Sequence, residues 1–505
     1  MLLTAEQEEI VNSSLDSFKI NAVAGSGKTT TLLEYAKKNS NLKILYLAYN
    51  KSLQIALNEK LKDYHLPNLH ISTIHSLAYN KTEAYKYKLT PELKTNILEK
   101  LIINHEFQDN KKSYYPSLEY TTILKNLINF YCNSNLIELD LKLLEEFKKQ
   151  NDFGVKILDI LNKKEKKLLE HLKLTLSSMK LGKIDAIHDF YLKMFYLNKK
   201  ISSNLNYDLI LIDEAQDISD VMIGIIENQK CRKIYVGDSF QQIYSFRYAS
   251  NALNKIDLPS YELTFSFRFS NSYAKFLQSY LNSLYTLNGS KNIFLNGVDD
   301  DNRLTTKVGR EFLDFNKQFT IISRTTFGLI QELIKHIHNK KKLFFEGGYN
   351  SYSFMNQTVY SIFYLKNRKN DKITIDEIKN FDTIFELETF AKETKNQDYL
   401  NIIRFVNSYG DNIFEINKKI KEYLVPNKDE ADIIFTTAHK AKGMEYNQVI
   451  MTDDFITKKD ILNRKKNLSF ASICEELNIY YVAASRAKFS ISLADLKLDY
   501  KEEKD

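Results

Sequence analysis

The sequence predicts an α/β protein of two cores with parallel sheets, each core interrupted by a mostly helical insertion. Eight short aliphatic or β-branched runs, at 18–23, 44–48, 209–212, 234–236, 319–322, 433–436, 448–451 and 491–494, carry the first observation. Most are near-continuously apolar, as strands covered on both faces of a parallel sheet are. Helical stretches lie between them, which is the second observation and the alternation expected of α/β architecture. The third is uneven spacing: residues 80–200 are Lys/Leu/Asn-rich with helical periodicity (Ile123, Leu127, Ile128, Tyr131), and residues 346–425 look similar. The chain therefore parses into a first core over 1–79 and 201–258 with an insertion at 80–200. A second core follows over 259–345 and 426–505, with a smaller insertion at 346–425, and residues 501–505 are expected to fray.

Composition bounds the function classes. A length of 505 residues predicts several domains, and 43% hydrophobic with 27% charged residues is ordinary globular composition rather than disorder. Only 14 Gly and 5 Pro exclude collagen-like and low-complexity chains and favour long helices. Cys132, Cys231 and Cys474 contain no closely spaced pair, which excludes a disulfide scaffold and a zinc ribbon. The acidic opening at 1–9 lacks the apolar stretch of a signal peptide. No apolar run approaches the ~18 residues that span a bilayer. These features predict a cytoplasmic protein with no membrane partner. The balance of 71 Lys+Arg against 64 Asp+Glu, net +7, permits a nucleic-acid partner without indicating one. Lys-rich runs at 163–167 and 464–466 read as solvated faces.

The sharpest local signal is Ala22-Val-Ala24-Gly25-Ser26-Gly27-Lys28-Thr29-Thr30, between a predicted strand and a predicted helix. That is the context of a P-loop: glycines turn backbone N–H groups inward around phosphate oxygens, and a helix N-terminus adds its dipole. Lys28 would reach the β- and γ-phosphates and Thr29 would hold Mg²⁺. The first motif position is Ala22, where the pattern has Gly. A second element, Leu209-Ile-Leu-Ile212-Asp213-Glu214, is an apolar strand ending in acids. Asp213 can complete the Mg²⁺ shell and Glu214 can polarise an attacking water. Acids after a strand also cap helices, and the P-loop upstream favours the metal reading. Together the two segments indicate a P-loop NTPase.

Asp213-Glu214-Ala215-Gln216-Asp217, followed by Val236-Gly237-Asp238-Ser-Phe-Gln241-Gln242-Ile-Tyr244-Ser-Phe246-Arg247, resembles the UvrD/Rep/PcrA group of superfamily 1 DNA helicases. The remaining helicase motifs occur in the family's order. Gln7, in Leu3-Thr-Ala-Glu-Gln7, matches the adenine-reading glutamine. Ala48-Tyr49-Asn50-Lys51 and Ser72-Thr73-Ile-His75-Ser76 match two early strand-binding motifs. Ser266-Phe267-Arg268-Phe269 matches the motif with a γ-phosphate arginine. Thr437-Ala-His439-Lys-Ala-Lys442-Gly443-Met-Glu445 and Tyr481-Val-Ala-Ala-Ser485-Arg486-Ala487 match the last two. The wording is closest to the F-box DNA helicase branch, although the F-box module is not expected in a chain that opens at the adenine motif.

The resemblance implies two RecA-like P-loop NTPase cores, ATP and Mg²⁺ as cofactors, and ATP-dependent helicase or single-strand translocase activity with 3′→5′ polarity, in processes such as DNA repair. It implies that ATP sits between the cores, held by Gln7, Ala24, Gly25, Ser26, Gly27, Lys28, Thr29, Thr30, Phe267 and Glu445. Lys28, Asp213, Glu214, Gln241, Arg268 and Arg486 would carry hydrolysis, with Gln241 sensing the γ-phosphate. Single-stranded DNA, or a single-strand/duplex junction, would meet Tyr49, Asn50, Thr73, His75, Tyr244, Phe246, Arg247, Thr437 and His439. Read without the resemblance, the arginines are equally well explained by surface ion pairs, and His75 and His439 by satisfied core histidines. His336 and His338 have no metal-ligand context. Three positions depart from the family: Ala48 and Phe246 replace aromatics (the latter a Trp), and Phe267 replaces a Tyr. The second insertion is also shorter than in the UvrD archetypes. A second reading is an ATP-gated DNA-sensing subunit of a nuclease-partnered assembly, resembling the helicase-like half of the Gabija phage-defence complex.

Overall fold

The computed structural model describes residues 3–62, 64, 66–108, 115–151, 153–298, 306–352, 354, 356–463 and 469–493. The Lys-rich run at 464–466, residue 494 of the last expected strand and the 501–505 tail lie outside them.

Two six-stranded sheets, each parallel throughout, form the two cores. Edge to edge, the first sheet runs Leu69–Ser72, Ile44–Leu47, Leu209–Ile212, Arg232–Gly237, Phe18–Ala22 and Ser260–Leu263. The second runs Lys307–Val308, Ala487–Ser492, Tyr446–Met451, Phe319–Ser323, Ile433–Thr437 and Leu343–Phe345. This is the α/β class with two RecA-like sheets that the sequence predicts. All eight expected strands are present, and they are the eight interior strands of the two sheets. The last begins earlier than expected, at Ala487, because its first turns of sequence, Ala487-Lys-Phe489, are not continuously apolar. The four edge strands were not anticipated; Ser260–Leu263 alternates exposed and covered positions, and it carries the first sheet past the expected boundary at 258.

The insertions are built differently. Helices Thr95–Gln108, Leu118–Asn133, Leu141–Gln150, Val155–Lys163 and Glu165–Lys180 enclose a core of their own around Leu98, Tyr120, Leu127, Phe147 and Leu172. Helix His188–Leu197 ties that core to the first sheet, with Phe190 in the insertion and Leu192 and Phe195 packed with Leu45, Ile210 and Ile212. In the second insertion, helices Gln357–Lys366, Ile384–Glu393, Gln397–Tyr409 and Asn412–Tyr423 share one continuous core with the sheet below, as Ile362 and Val406 do with Ile321, Ile433 and Phe435. On the sheet's other face, Val23, Ala24 and Ile243 of the first core pack among Tyr273, Leu277, Tyr481 and Val482 of the second. The cores therefore meet through apolar contact beside the loop at 23–27. Among the described residues, no helix is long and apolar enough to cross a membrane.

Candidate functional site

The loop at 23–27 leaves the C-terminal end of strand Phe18–Ala22, interior to the first sheet, and delivers the chain into helix Lys28–Lys38. Gly25 (φ 75°) and Gly27 (φ 78°) both adopt left-handed backbone, which places the turn's N–H groups on its concave side. A Cβ on Gly25 would lie 2.8 Å from Arg268 Cβ, and one on Gly27 would lie 2.8 Å from Gln7 Nε2. Ser26 Oγ is buried with no hydrogen-bond partner. A cradle that side chains would fill and an orphaned hydroxyl inside it both fit a phosphate chain.

Lys28 Nζ meets Glu214 Oε1 at 3.0 Å. Asp213 is buried at the tip of strand Leu209–Ile212 and accepts from Tyr46 Oη at 2.6 Å and from its neighbour Glu214 N at 2.9 Å. Burial pushes Asp213 up to about 6, and the Glu214 charge adds to the rise. Burial would raise Glu214 as well, but Lys28 and then Lys442 outweigh it and hold that carboxyl at about 2. The strand tip thus presents two adjacent carboxyl groups, one shifted up by burial and the other held down by the two lysines. Hard oxygen donors of this kind suit Mg²⁺.

Residues of the second core abut the loop directly. Ser266 Oγ donates to Ala24 O (2.7 Å) and Phe267 N to Gly25 O (2.9 Å). Arg268 donates from Nε to Glu445 Oε1 (2.9 Å) and from Nη1 to Ser485 O (3.0 Å), while Lys488 pairs with the other Glu445 oxygen (2.7 Å). Arg486 is 1% exposed and donates from Nη2 to Gln241 Oε1 at 3.3 Å. Burial, with Arg268 beside it, holds the Arg486 guanidinium below its ordinary range. Its other bonds go to Val482 O (2.7 Å), Met444 O (3.3 Å) and Ser485 Oγ (2.7 Å), and among the described residues no carboxylate lies within ion-pair distance of it. Gln241 Nε2 in turn donates to Asp238 Oδ2 (2.7 Å). Gln7, the third residue of a capping box with Thr4, donates to Ser26 O (3.4 Å), and the Phe267 ring, 44% exposed, flanks Gly27. Thr30 accepts from Lys60 Nζ at 3.2 Å.

The residues expected to touch DNA fall into two adjoining groups. Tyr49, Asn50, Thr73 and His75 line one open cavity of about 640 Å³ together with His70, Tyr79, His188 and Tyr191, which were not anticipated. Within it the Asn50 and Thr73 side chains cap the helices Lys51–Leu61 and Ile74–Lys81, and His75 pairs with Asp189 (3.2 Å). In the second group Tyr244 stacks parallel to Tyr49 (centroids 6.1 Å), Phe246 meets His439 edge-on (5.8 Å) and Arg247 lies over both Tyr244 and Phe246. Phe246 is 64% exposed. His439 bonds Ile243 O (3.1 Å), and burial, then the Arg324 charge, push it down to about 4, so it is neutral at physiological pH. Thr437 is buried at the end of its strand. Of the phenylalanines along 265–269, Phe269 is core and Phe267 open.

Sequence reasoning left several contributors without a role. Lys442 forms a buried ion pair with Asp217 across the cleft and donates to Gln241 O (2.6 Å). Tyr481 Oη accepts from Ala24 N (2.9 Å). Both lie inside motif strings quoted above, and that position was the available signal.

A family model described as the UvrD/REP helicase N-terminal domain matches residues 3–256. The chain is 30% identical over 526 residues to F-box DNA helicase protein 1 of Schizosaccharomyces pombe, covering 98% of this chain and 57% of that protein. It is 29% identical over 514 residues to F-box DNA helicase 1 of Gallus gallus, covering 96% of this chain and 48% of that one. The chain thus spans about half the length of these relatives. With the family model matching the half that carries the phosphate-binding loop and the acidic strand tip, the chain belongs to the UvrD/REP helicase family.

Proposed function

We propose that the chain is an ATP-driven DNA helicase or single-strand translocase, moving 3′→5′, with ATP and Mg²⁺ bound between the cores. The observation that carries this reading is the convergence, in one cleft, of Lys28, Asp213 and Glu214 from one core with Arg268 and Arg486 from the other. Phosphoryl transfer is chiefly a matter of positioning and charge, so cations on both sides of the γ-phosphate are the catalytic requirement. ATP supplies the phosphoryl group, and Mg²⁺ held by Thr29 and Asp213 supplies charge neutralisation. Lys28 exchanges Glu214 for phosphate oxygens, which frees the Glu214 carboxylate to orient water. Gln241, bonded to Arg486 on one side and to Asp238 on the other, reports the state of the cleft to the turn Ser245–Arg247. Stacking of bases on Tyr49, Tyr244 and Phe246 is tolerant of sequence, which suits a motor that must move along any strand. The names of the two relatives, both DNA helicases, favour DNA as the track.

Purified protein is expected to hydrolyse ATP faster with oligothymidylate present and to displace a strand from a duplex bearing a 3′ single-stranded tail. Lys28→Ala is expected to abolish both. Hydrolysis without displacement on any tailed duplex would overturn the helicase reading, and displacement only from 5′-tailed duplexes would overturn the polarity.

A further inference from the structure

Helix Phe470–Ala484 ends at the nucleotide cleft, yet its contacts with the first core run well beyond it. Tyr481 accepts from Ala24 N of the phosphate-binding loop. One turn back, Asn478 Nδ2 donates to Gln242 O at 3.0 Å, immediately after Gln241. A further turn back, Glu475 accepts from Ser245 N at 3.1 Å through Oε1 and from Ser245 Oγ through Oε2. Spacings of three place these side chains on one face of the helix, and six residues at ~1.5 Å each make a span of about 9 Å. The adjacent Glu476 turns the other way and takes both of its bonds from Arg324 of its own core (2.7 and 2.6 Å). Glu475 is therefore the acid committed to the opposite core, and it holds the first residue of the turn Ser245–Arg247 by both backbone and hydroxyl. That turn carries the exposed Phe246 ring and the Arg247 guanidinium.

We infer that Glu475 is a positioning residue for the DNA-facing turn: it ties Ser245 rigidly to the helix whose C-terminal end senses the nucleotide, so that closure of the cleft resets Phe246 and Arg247. The inference rests on the proposed ATP- and DNA-binding function and adds the link between the two sites. A bond to both the N–H and the side chain of one residue fixes its orientation as well as its place. Without it residues 245–247 keep only local backbone bonds, Arg247 N to Tyr244 O (2.9 Å) and Tyr248 N to Ser245 O (2.8 Å), and the other tie to the second core runs through the preceding residue, Tyr244 Oη to His439 O (3.2 Å).

The chain has no Trp, so Phe246→Trp creates a sole tryptophan on the turn itself. Its fluorescence reads the dissociation constant of oligothymidylate with and without a non-hydrolysable ATP analogue. In this parent the two constants are expected to differ at least about 5-fold, the low end of typical coupling between sites. Adding Glu475→Ala is expected to lower the ratio at least about 2-fold toward unity, while Glu475→Gln retains more of it because its amide oxygen still accepts from Ser245 N. Ser245→Ala, a small change outside any core, is expected to weaken the ratio in the same direction and to add nothing on top of Glu475→Ala. An unchanged ratio in Glu475→Ala, or both constants scaled by one common factor, overturns the inference, as does a parent whose affinity ignores the nucleotide. Wild-type protein without oligothymidylate-stimulated hydrolysis overturns the proposed function instead.

Discussion

Lys442 and Asp217 reach each other from different cores, with side chains 9% and 1% exposed. Burial, the largest influence, raises the Asp217 carboxyl to about 6 even with the Lys442 charge opposing it. Asp217 Oδ1 has no hydrogen-bond partner, so the ammonium is the main compensation for its charge. Lys442→Met leaves that carboxylate buried and alone, which is expected to cost about 3–5 kcal/mol, whereas Lys442→Met with Asp217→Leu recovers most of the loss. A raised native pKa means the folded state binds the proton more readily than the unfolded one. Acidification through pH 6 toward 4 therefore favours folding at this site, and the deficit of the single variant shrinks there. Denaturant midpoints at pH 7.5 and 5 measure both effects; a deficit that grows on acidification would refute the assignment. Lys28, Thr29 and Asp213 could be read from sequence because their chemistry is encoded in a few adjacent residues. This ion pair could not, since its members stand 225 positions apart and only the closed cleft brings them together.

Among elements, legibility follows position in the sheet. Interior strands such as Ile44–Leu47 and Leu209–Ile212 are buried at every residue and so read as unbroken apolar runs. Edge strands have a neighbour on one side only: Leu69–Ser72 exposes His70, and Ser260–Leu263 buries only its last residue. In those two no apolar run survives for sequence to show, and the apolar edge strand Leu343–Phe345 is only three residues long. The strand Phe265–Ser270 escaped for another reason: it lies outside both six-stranded sheets, paired among the described residues only with Asn296–Val298, and it presses against the phosphate-binding loop. That contact makes Gly25 demanding twice over, since its φ is 75° and a Cβ would stand 2.8 Å from both Arg268 Cβ and Ser266 Oγ. Gly25→Ala is expected to lose about 1–2 kcal/mol from left-handed backbone alone. It should also push Arg268 outward, so ATP-analogue affinity falls more than stability does. Paired calorimetric and chemical-denaturation measurements test this; affinity preserved at reduced stability would place the strain away from the Arg268 strand.

The whole molecule closes on itself at two places of unlike character. At the cleft the cores share an apolar cluster that takes in Val23, Ala24, Ile243, Tyr273 and Tyr481, so contact between them does not wait for a ligand. The insertions meet instead where Gly154 N donates to Glu393 O (3.1 Å) and Lys156 N to Glu393 Oε2 (3.0 Å), a carboxylate seated at the start of helix Val155–Lys163. Beside it lies a cavity of about 700 Å³ lined in part by Glu92, Lys125, Asp376 and Glu377. A seam built around a cavity separates more readily than a large, continuous apolar one. Gly154 is a point of close approach in it, because a Cβ there would sit 2.2 Å from Glu393 Oε2 and 2.9 Å from Glu393 Cα. Gly154→Val is therefore expected to part the insertions and to raise the radius of gyration seen by small-angle scattering. Helix Val155–Lys163 stays anchored through Ile157 and Leu161 in the first insertion's own core, so the unfolding free energy should fall only by about 1 kcal/mol, the cost of replacing the Gly154 helix cap with Val. An unchanged radius would mean that the seam is held elsewhere, by Leu118 against the second insertion's core and Asn96 against Asp376. A large loss of stability with the radius unchanged would mean that the two insertions fold as one unit.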